Sequence, residues 1–379
     1  MNPLKVTVIG GSLGGLCTAI SLRQLGHSVD IYEKSPGKME SRGAGLVVQY
    51  ELIEYLRHQG INMSETISVP ITTRRYLNRD GSTQSEQTMP QSFTSWDAVF
   101  RQLRELFPDA NYHAGKNLIG IDQHDRQITA SFEEGSVVAS DLLVFADGSD
   151  STARRLLLPD VQPRYAGYVA WRGLIDEAVL PKKVIDFFED SFTFYQMPQS
   201  HILNYLIPGS TGGLGRGERR MNWVWYRNVR SGNTLDQLLT DKNGAHRYAS
   251  VAPGSVQNHY IDEMRKFAVG HLPPIYQELI EASPAPFIQA IMDVEVPRMN
   301  IGRACLLGDA AFVIRPHTAA STAKAAADAM ALAAHLAKHA ELEIALRAWE
   351  TQQLAFGDRL YSYGVDMGTR SQGVAAAVR

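Results

Sequence analysis

Cysteine is scarce in this chain: two residues in 379, Cys17 and Cys305, each inside an apolar stretch. With no cysteine framework, a disulfide-stapled secreted domain is excluded and a reducing, cytoplasmic setting is expected, with both thiols as small core fillers. The 11 histidines are scattered, so no metal site is expected. No apolar run approaches the roughly 18 to 20 residues that span a bilayer. The N terminus passes directly into Val6-Thr-Val-Ile9 and reads as a buried strand, not a signal peptide. Charge of one sign is also missing. A net charge of -3 gives no reason to expect nucleic acid or an anionic membrane as partner. There is no internal repeat and no low-complexity segment.

What is present is ordinary for a globular chain, 44% hydrophobic and 20% charged, and long enough for two or three domains. Residues 4–34 read as strand, glycine turn, helix, strand. Leu16, Ile20, Leu22 and Leu25 carry the helical period, and Gly26 supplies the stop. A glycine turn and helix follow over 42–60, then exposed strands over 66–92, a helix over 95–107 and strands over 117–145. Residues 163–230 are dense in aromatic and β-branched residues and predict a second, antiparallel sheet. Helices are expected over 234–247 and 259–282, a strand over 303–307, a long alanine-rich helix over 320–339 and an amphipathic helix over 344–370. The stretch "GSTGGLGRGE" at 209–218 reads as a mobile loop.

Three motifs carry chemistry. Gly10-Gly-Ser-Leu-Gly-Gly15 follows a strand and opens a helix, the context of a dinucleotide fingerprint. Gly10 makes the turn and Gly15 the close packing. Ser12 stands at the middle glycine position, Leu13 follows it, and Gly14 lets the backbone approach a pyrophosphate bound at the helix N terminus. Glu33, with Lys34 after it, closes the second strand about 20 residues on, where an acid meets ribose hydroxyls. The second motif is Asp147-Gly-Ser-Asp-Ser-Thr-Ala-Arg154, after a buried strand. The third is Gly308-Asp309, leading through Arg315-Pro-His317 into Ala319, Ala320, Ser321 and Thr322. Such small residues leave the free amides of a helix N terminus open to a ligand carrying negative charge. No second dinucleotide fingerprint is found: "GGLGRG" at 212–217 has neither the spacing nor the context.

The order and spacing of these motifs resemble the single-component FAD-dependent aromatic hydroxylases with the para-hydroxybenzoate hydroxylase fold. The likeness runs from residue 4 to about 350. A nearer likeness to the pyridine-hydroxylating branch is carried by "GGSLGGL", "GAGLVVQ" at 43–49, "YAGYVAWRG" at 165–173 and the "GDAA", "RPH" and "AK" elements within 308–324. The resemblance implies an α/β fold: a discontinuous Rossmann-like FAD domain (1–70, 93–160, 280–345) and an inserted antiparallel-sheet substrate domain (71–92, 161–279). A C-terminal helical segment (346–379) completes it.

It further implies that Asp309 bonds the ribityl chain, Asp147 serves FAD and the reductant, and Arg154 braces its loop. Arg42 would lie near the flavin and pyrophosphate, Leu118 against adenine through its backbone, Gln49 near the ring and Pro316 on the oxygen-reactive face. Reduction by transient NADH or NADPH and reaction with oxygen would give a flavin hydroperoxide that hydroxylates an electron-rich aromatic or heteroaromatic ring. A homodimer is a possible assembly. Family members often carry a FAD-contacting arginine where this chain has Ser95; Arg101 is the candidate substitute. His317 is the first candidate for the base that ionises the substrate, with a structural histidine as its alternative. Tyr205 is a second candidate, against a core aromatic, and His201 a weaker one. Arg315 is read either as a substrate contact or as solvated. The competing functions are a flavin-dependent reductase or dehydrogenase without oxygen insertion and a non-catalytic FAD-binding protein.

Overall fold

Continuous apolar runs build the first sheet. In the computed structural model, which describes residues 1–37, 39 and 44–373, Lys5–Ile9 lies between Ser28–Glu33 and Leu142–Phe145. Ala304–Leu306 pairs beyond Leu142–Phe145, and Tyr112–Ala114 beyond Ser28–Glu33, all in parallel. A short antiparallel edge, Asn300–Ile301, completes six strands. The register aligns Tyr32, Ile9, Phe145 and Leu306 in one row. The chain therefore leaves the sheet three times along one edge, at Gly10, Ala146 and Leu307. The helix Leu13–Gln24 packs against the alanine-rich helix Ser321–Lys338 on one face. A three-stranded meander, Leu118–His124, Gln127–Phe132 and Val137–Ser140, covers the other.

The second sheet has nine strands, ordered Ser250–Val251, Phe287–Asp293, Arg164–Asp176, Arg220–Asn228, Ser200–Ile207, Ser191–Met197, Val69–Leu77, Thr83–Ser95 and Gly45–Val47. It is antiparallel except where Ser191–Met197 meets Val69–Leu77. Trp223 and Trp225, both fully buried, anchor its core with Asn258–His271 and Pro274–Glu281 packed nearby in the same cluster. Three sequence expectations shift. Pro273-Pro274 splits the helix expected over 259–282. The helix expected over 234–247 stops at Leu238. Phe287–Asp293 belongs to the large sheet, so that layer runs past the expected boundary at 279. The 209–218 stretch is laced by turns, including Gly209 N to Gly213 O at 2.8 Å.

The last helix, Leu342–Gln372, is 31 residues long. It can lie close over the 312–318 segment because its contact face is glycine. A Cβ on Gly357 would sit 2.5 Å from the Phe312 ring, and one on Gly368 would sit 2.6 Å from the Tyr168 hydroxyl. Polar clamps join the layers. Arg220 donates to both oxygens of buried Asp97 at 3.0 and 2.9 Å, tying the large sheet to the helix Trp96–Leu106. Arg315, expected to meet substrate or solvent, instead makes a buried bidentate pair with Asp293 at 2.7 and 2.6 Å. Tyr168 and the C-terminal helix at Gly368 crowd the Arg315 side chain, so a paired charge is the arrangement that can be buried there.

Asp97→Ala leaves Arg220 buried and unpaired. It should destabilise the protein by about 3–5 kcal/mol, the range for breaking a buried pair from one side. Thermal unfolding checks this; an unmoved midpoint would remove the clamp from the account.

Candidate active site

The first loop is set by sterics. Gly10 has φ +101°, and a Cβ there would lie 2.3 Å from Ala146 O; a Cβ on Gly15 would lie 1.8 Å from Gly10 O. Both must be glycine for the protein's own sake. Gly14 differs: its nearest neighbour would be Ala325 Cβ at an ordinary 3.4 Å. With Leu307 and Ala146 beyond it at 3.5 and 3.8 Å, the protein's own packing does not demand glycine there. Ser12 takes the N-cap place of Leu13–Gln24 without a side-chain cap bond, and Leu13 is buried. Gly10-Gly-Ser-Leu-Gly14 also has the G-x-S-x-G spacing of a hydrolase nucleophile. Ser12, however, has no histidine bonded to it among the described residues, and no nucleophile is set up. Glu33 accepts from Gly11 N and from Ser35 N, both at 2.8 Å, and so props the loop from the end of its strand. Lys34 beside it is exposed. Leu118 is buried and opens the meander, so only its backbone can meet a ligand. Arg42 and Gly43 lie outside the described residues.

The second and third loops are stapled together. Asp147 accepts from Ser151 Oγ at 2.5 Å and from Ala153 N at 3.1 Å, which commits both oxygens to the start of the helix Thr152–Leu157. Burial raises its pKa. Arg154, almost wholly buried, donates to Ser149 O at 2.6 Å and across to Ala310 O at 2.9 Å. A pair the sequence reading passed over holds the other side. Lys324 Nζ meets Asp328 Oδ2 at 2.6 Å, and the same oxygen accepts Gly308 N at 2.8 Å. Both side chains are buried, and their i,i+4 spacing in "AKAAADAM" was the available signal.

Between these staples Asp309 faces a cleft of about 880 Å³. Its carboxylate has no hydrogen-bond partner among the described residues. Desolvation pushes its pKa up to about 6, while Lys324 and Arg154 pull the other way. Ser321–Lys338 then begins with Ala320 as an N-cap that has no side-chain bond. Its first backbone bond runs from Lys324 N to Ala320 O at 2.8 Å, which leaves the amides of residues 321–323 for a ligand. Pro316, Ala319, Ser321 and Thr322 line the cleft beside them, with Gln49 opposite, while Ala320 is buried. Ala319 adopts φ +56°, a left-handed conformation that glycine takes without strain.

The rest of the cleft is aromatic. His317 Nε2 is 2.9 Å from the Tyr168 hydroxyl, and its ring lies 4.5 Å from Tyr226 and 5.3 Å from His201. Its partner is thus neither the backbone carbonyl of the structural alternative nor a free substrate oxygen. Desolvation, helped by His201 and Arg315, lowers its pKa to about 3. His201 is bonded to Ser371 Oγ at 2.7 Å and is lowered by burial to about 4. Tyr205 stacks on Phe93 at 4.1 Å, with its pKa pushed by burial up to about 12. It is a core aromatic that also lines the cleft. Burial thus shifts all three away from neutrality, the two histidines downward and the tyrosine upward. Arg101 does not replace the arginine missing at Ser95. It donates to Ser210 O at 2.8 Å, and Ser95 caps its helix through Ala98 N. The sequence reading gave the C-terminal segment no part in the site, yet Tyr363, Met367, Arg370 and Ser371 form one wall.

No group of three or more His, Cys, Asp or Glu among the described residues could hold a metal. His335 and His339, at helical spacing, stack at 5.9 Å, with His335 bonded to Gln352. For FAD the residues fit. The open backbone at Gly14, the unpartnered carboxylate of Asp309 and the uncapped helix end suit a pyrophosphate, a ribityl chain and an anionic ring edge in that order along the strand ends.

Comparison with known proteins agrees. A family model described as FAD binding domain-like matches residues 165–293. The chain is 36% identical over 369 residues to 2,6-dihydroxypyridine 3-monooxygenase of Paenarthrobacter nicotinovorans, covering 97% of this chain and 91% of that protein. It is 26% identical to 6-hydroxynicotinate 3-monooxygenase of Pseudomonas fluorescens, over 87% of this chain and 81% of the relative. The crystal structure of 2,6-dihydroxypyridine-3-hydroxylase from Arthrobacter nicotinovorans superposes with a TM-score of 0.92 at 34% identity, over 99% and 94% of the two chains. Klebsiella pneumoniae HpxO complexed with FAD and uric acid shares the fold, with a TM-score of 0.80 at 24% identity over 98% and 89%.

Asp309 ionises above about 6, so its best acceptor form exists at pH 7.5 and is lost as pH falls through that value. FAD titrations should show weaker binding at pH 5 than at pH 7.5. Asp309→Ala should lower bound flavin at both, and Asp309→Asn should flatten the dependence. Full flavin content with unchanged affinity in the alanine variant would overturn the ribityl assignment. Separately, Ala319→Gly should stabilise the apoprotein by about 1 kcal/mol by removing left-handed strain. An unchanged or lower unfolding midpoint would count against strain at that residue.

Proposed function

This chain belongs to the FAD-dependent aromatic hydroxylases with the para-hydroxybenzoate hydroxylase fold. From that membership we propose that it inserts one oxygen atom into a hydroxylated pyridine or a related heteroaromatic ring. NADH or NADPH is the reductant and dioxygen the oxidant. The observation that carries this reading is the cleft itself: its floor is Asp309 and the open end of Ser321–Lys338, and its roof is the aromatic face of the large sheet. Bound FAD supplies electron storage and oxygen activation.

The chain's own residues do the rest. Asp309 accepts hydroxyls of the cofactor chain. The amides of residues 321–323 carry positive dipole toward negative charge on the flavin. Pro316 fixes the turn that aims them. Tyr168 holds His317, which stays neutral because burial depresses its pKa. Its Nδ1 has no hydrogen-bond partner among the described residues, so His317 acts as a fixed hydrogen-bonding group for the ring substituents. Tyr205, protonated at neutral pH, offers a hydroxyl as donor. Phe192, Phe194 and Tyr226 shape a slot for a flat ligand and exclude water. Two buried free thiols, Cys17 and Cys305, suit a cytoplasmic enzyme.

A panel of hydroxypyridines, hydroxybenzoates and purines tests the activity. A hydroxypyridine such as 2,6-dihydroxypyridine should stimulate NAD(P)H consumption and yield a product heavier by one oxygen atom. Stimulated consumption that releases only hydrogen peroxide with every compound would overturn the reading. His317→Gln should lower kcat by about tenfold, the loss of one aligned hydrogen bond. Flavin content and the shape of the pH profile between 5 and 8 should not change. Loss of a limb from that profile would restore His317 as the base.

A further inference from the structure

Four arginines away from the cleft have their charge met within the chain: Arg315 by Asp293, Arg220 by Asp97, Arg219 by Glu177, and Arg154 by backbone carbonyls. Arg227 instead lies over the rings of Trp225 and Phe267. Three arginines lining the cleft, Arg74, Arg172 and Arg370, have no carboxylate partner among the described residues. The acid that lines the same cleft is Asp309, at the flavin end.

Arg172 is the most constrained of the three. It sits on Arg164–Asp176 in the middle of the large sheet, opposite Val224 on one neighbour and Phe287 on the other. Nη1 donates to Gln289 Oε1 at 3.0 Å, and the guanidinium lies 5.9 Å over the Phe287 ring. Its Nε is buried with no hydrogen-bond partner. Its charge reaches both Tyr205 and Tyr226, whose hydroxyls it pulls down against the burial that raises them. Arg74 is held over Phe192 and Phe194, 5.2 Å from each ring, and extends the same wall. Arg370 is exposed on the C-terminal helix at the mouth.

We propose that the ring ligand of this cleft binds as an anion and that Arg172, oriented by Gln289, receives its charged oxygen. Arg172 is then a specificity-determining residue for acidic hydroxy-heteroaromatic substrates. This deepens the ring-hydroxylation function proposed above and rests on it.

Physical chemistry favours an anion there. A flat ligand displaces water from the cleft, and an unpaired guanidinium losing its water needs a negative partner. A ring oxyanion supplies one through a charge-assisted hydrogen bond. A neighbouring cation also lowers the ligand's own pKa, so ionisation and binding reinforce each other. Of the other titratable groups in the cleft, Asp309 at the flavin end ionises near about 6 and Tyr226 is held protonated by burial. His317 and His201 stay neutral above about 3 and about 4, and Tyr205 keeps its proton to about 12. An ionised ring oxygen makes the adjacent carbon electron-rich, the property ring hydroxylation needs. One arginine would thus serve recognition and activation without a protein base. The alternative source of the same negative charge is the phosphate of the reduced nicotinamide.

The test measures binding to the oxidised holoenzyme from pH 7 to 9, where Asp309 stays ionised, by flavin absorbance perturbation. The probes are 2,6-dihydroxypyridine, 2,6-dihydroxypyridine-4-carboxylate and non-ionisable 2,6-dimethoxypyridine. For the first, affinity should rise with pH through the ligand's own pKa and then level off. Arg172→Gln should weaken the ionised ligands about tenfold or more, the worth of a charge-assisted bond, while leaving dimethoxypyridine and flavin content unchanged. Arg172→Lys, which keeps the charge, should keep the pH slope with reduced affinity. Equal weakening of all three probes, or none, would overturn the anion site and leave the pyridine function standing. If Arg172→Gln raises only the KM for NAD(P)H, the charge belongs to the nicotinamide phosphate and the proposal falls. If no pyridine binds the unaltered protein but 2-hydroxybenzoate does, in an Arg172-dependent way, the pyridine function falls and the anion site stands.

Discussion

The row Tyr32, Ile9, Phe145, Leu306 across four parallel strands is the constraint on which this protein depends. Because these residues are in register, the chain exits the sheet at one level three times. The glycine loop, the Asp147 turn and the Asp309 turn are thereby neighbours, although about 300 residues separate the first from the last. Local bonds then fix their relative positions. Glu33 holds the first loop, Arg154 ties the second to the third, and Asp328 with Lys324 fastens the third to its helix. A one-residue slip of Ala304–Leu306 would carry Asp309 off the cleft floor and break the Gly308 bond to Asp328 together.

The second sheet answers this edge with a roof, and the joint between them is made of paired charges and bare glycine. Arg220 with Asp97 and Arg315 with Asp293 are specific in direction, which fixes how the layers face each other. Gly357 and Gly368 let the last helix lie near enough for Tyr363, Met367 and Arg370 to close the cleft. The ligand space is therefore bounded by three separate parts of the chain, and each is placed by contacts outside it.

Much of the cofactor half was legible in the sequence. Gly10, Gly15, Glu33, Arg154 and the small residues before Lys324 are local signals whose strand–turn–helix context can be read along the chain. The substrate half was not. Arg315 looked free because its partner, Asp293, is 22 residues away on a strand the sequence reading did not foresee. His317 looked like a base because its pKa depends on burial and on His201, far off in sequence and close only in space. The role of the C-terminal helix was hidden for the same reason: its amphipathic pattern says nothing of its glycines, which the packing against Phe312 and Tyr168 explains. Arg172 lay inside a string quoted for its likeness, where nothing local distinguishes a paired arginine from an unpaired one.

Four features gather at the cleft where the two halves meet. Asp309 is a desolvated acid with no partner. Ala319 is a left-handed residue that is not glycine. The alanine-rich helix begins without a cap, and Arg172 is a half-buried cation without an acid. They line or adjoin a single cleft, where one ligand set carrying hydroxyls and negative charge would meet them. An anionic cofactor edge with a hydroxyl chain completes the first three, and a negatively charged ring oxygen the fourth. The order of Gly10, Asp147 and Asp309 along the strand ends, with the sheet opposite, therefore sets the order in which a ligand presents its phosphates, hydroxyls and ring.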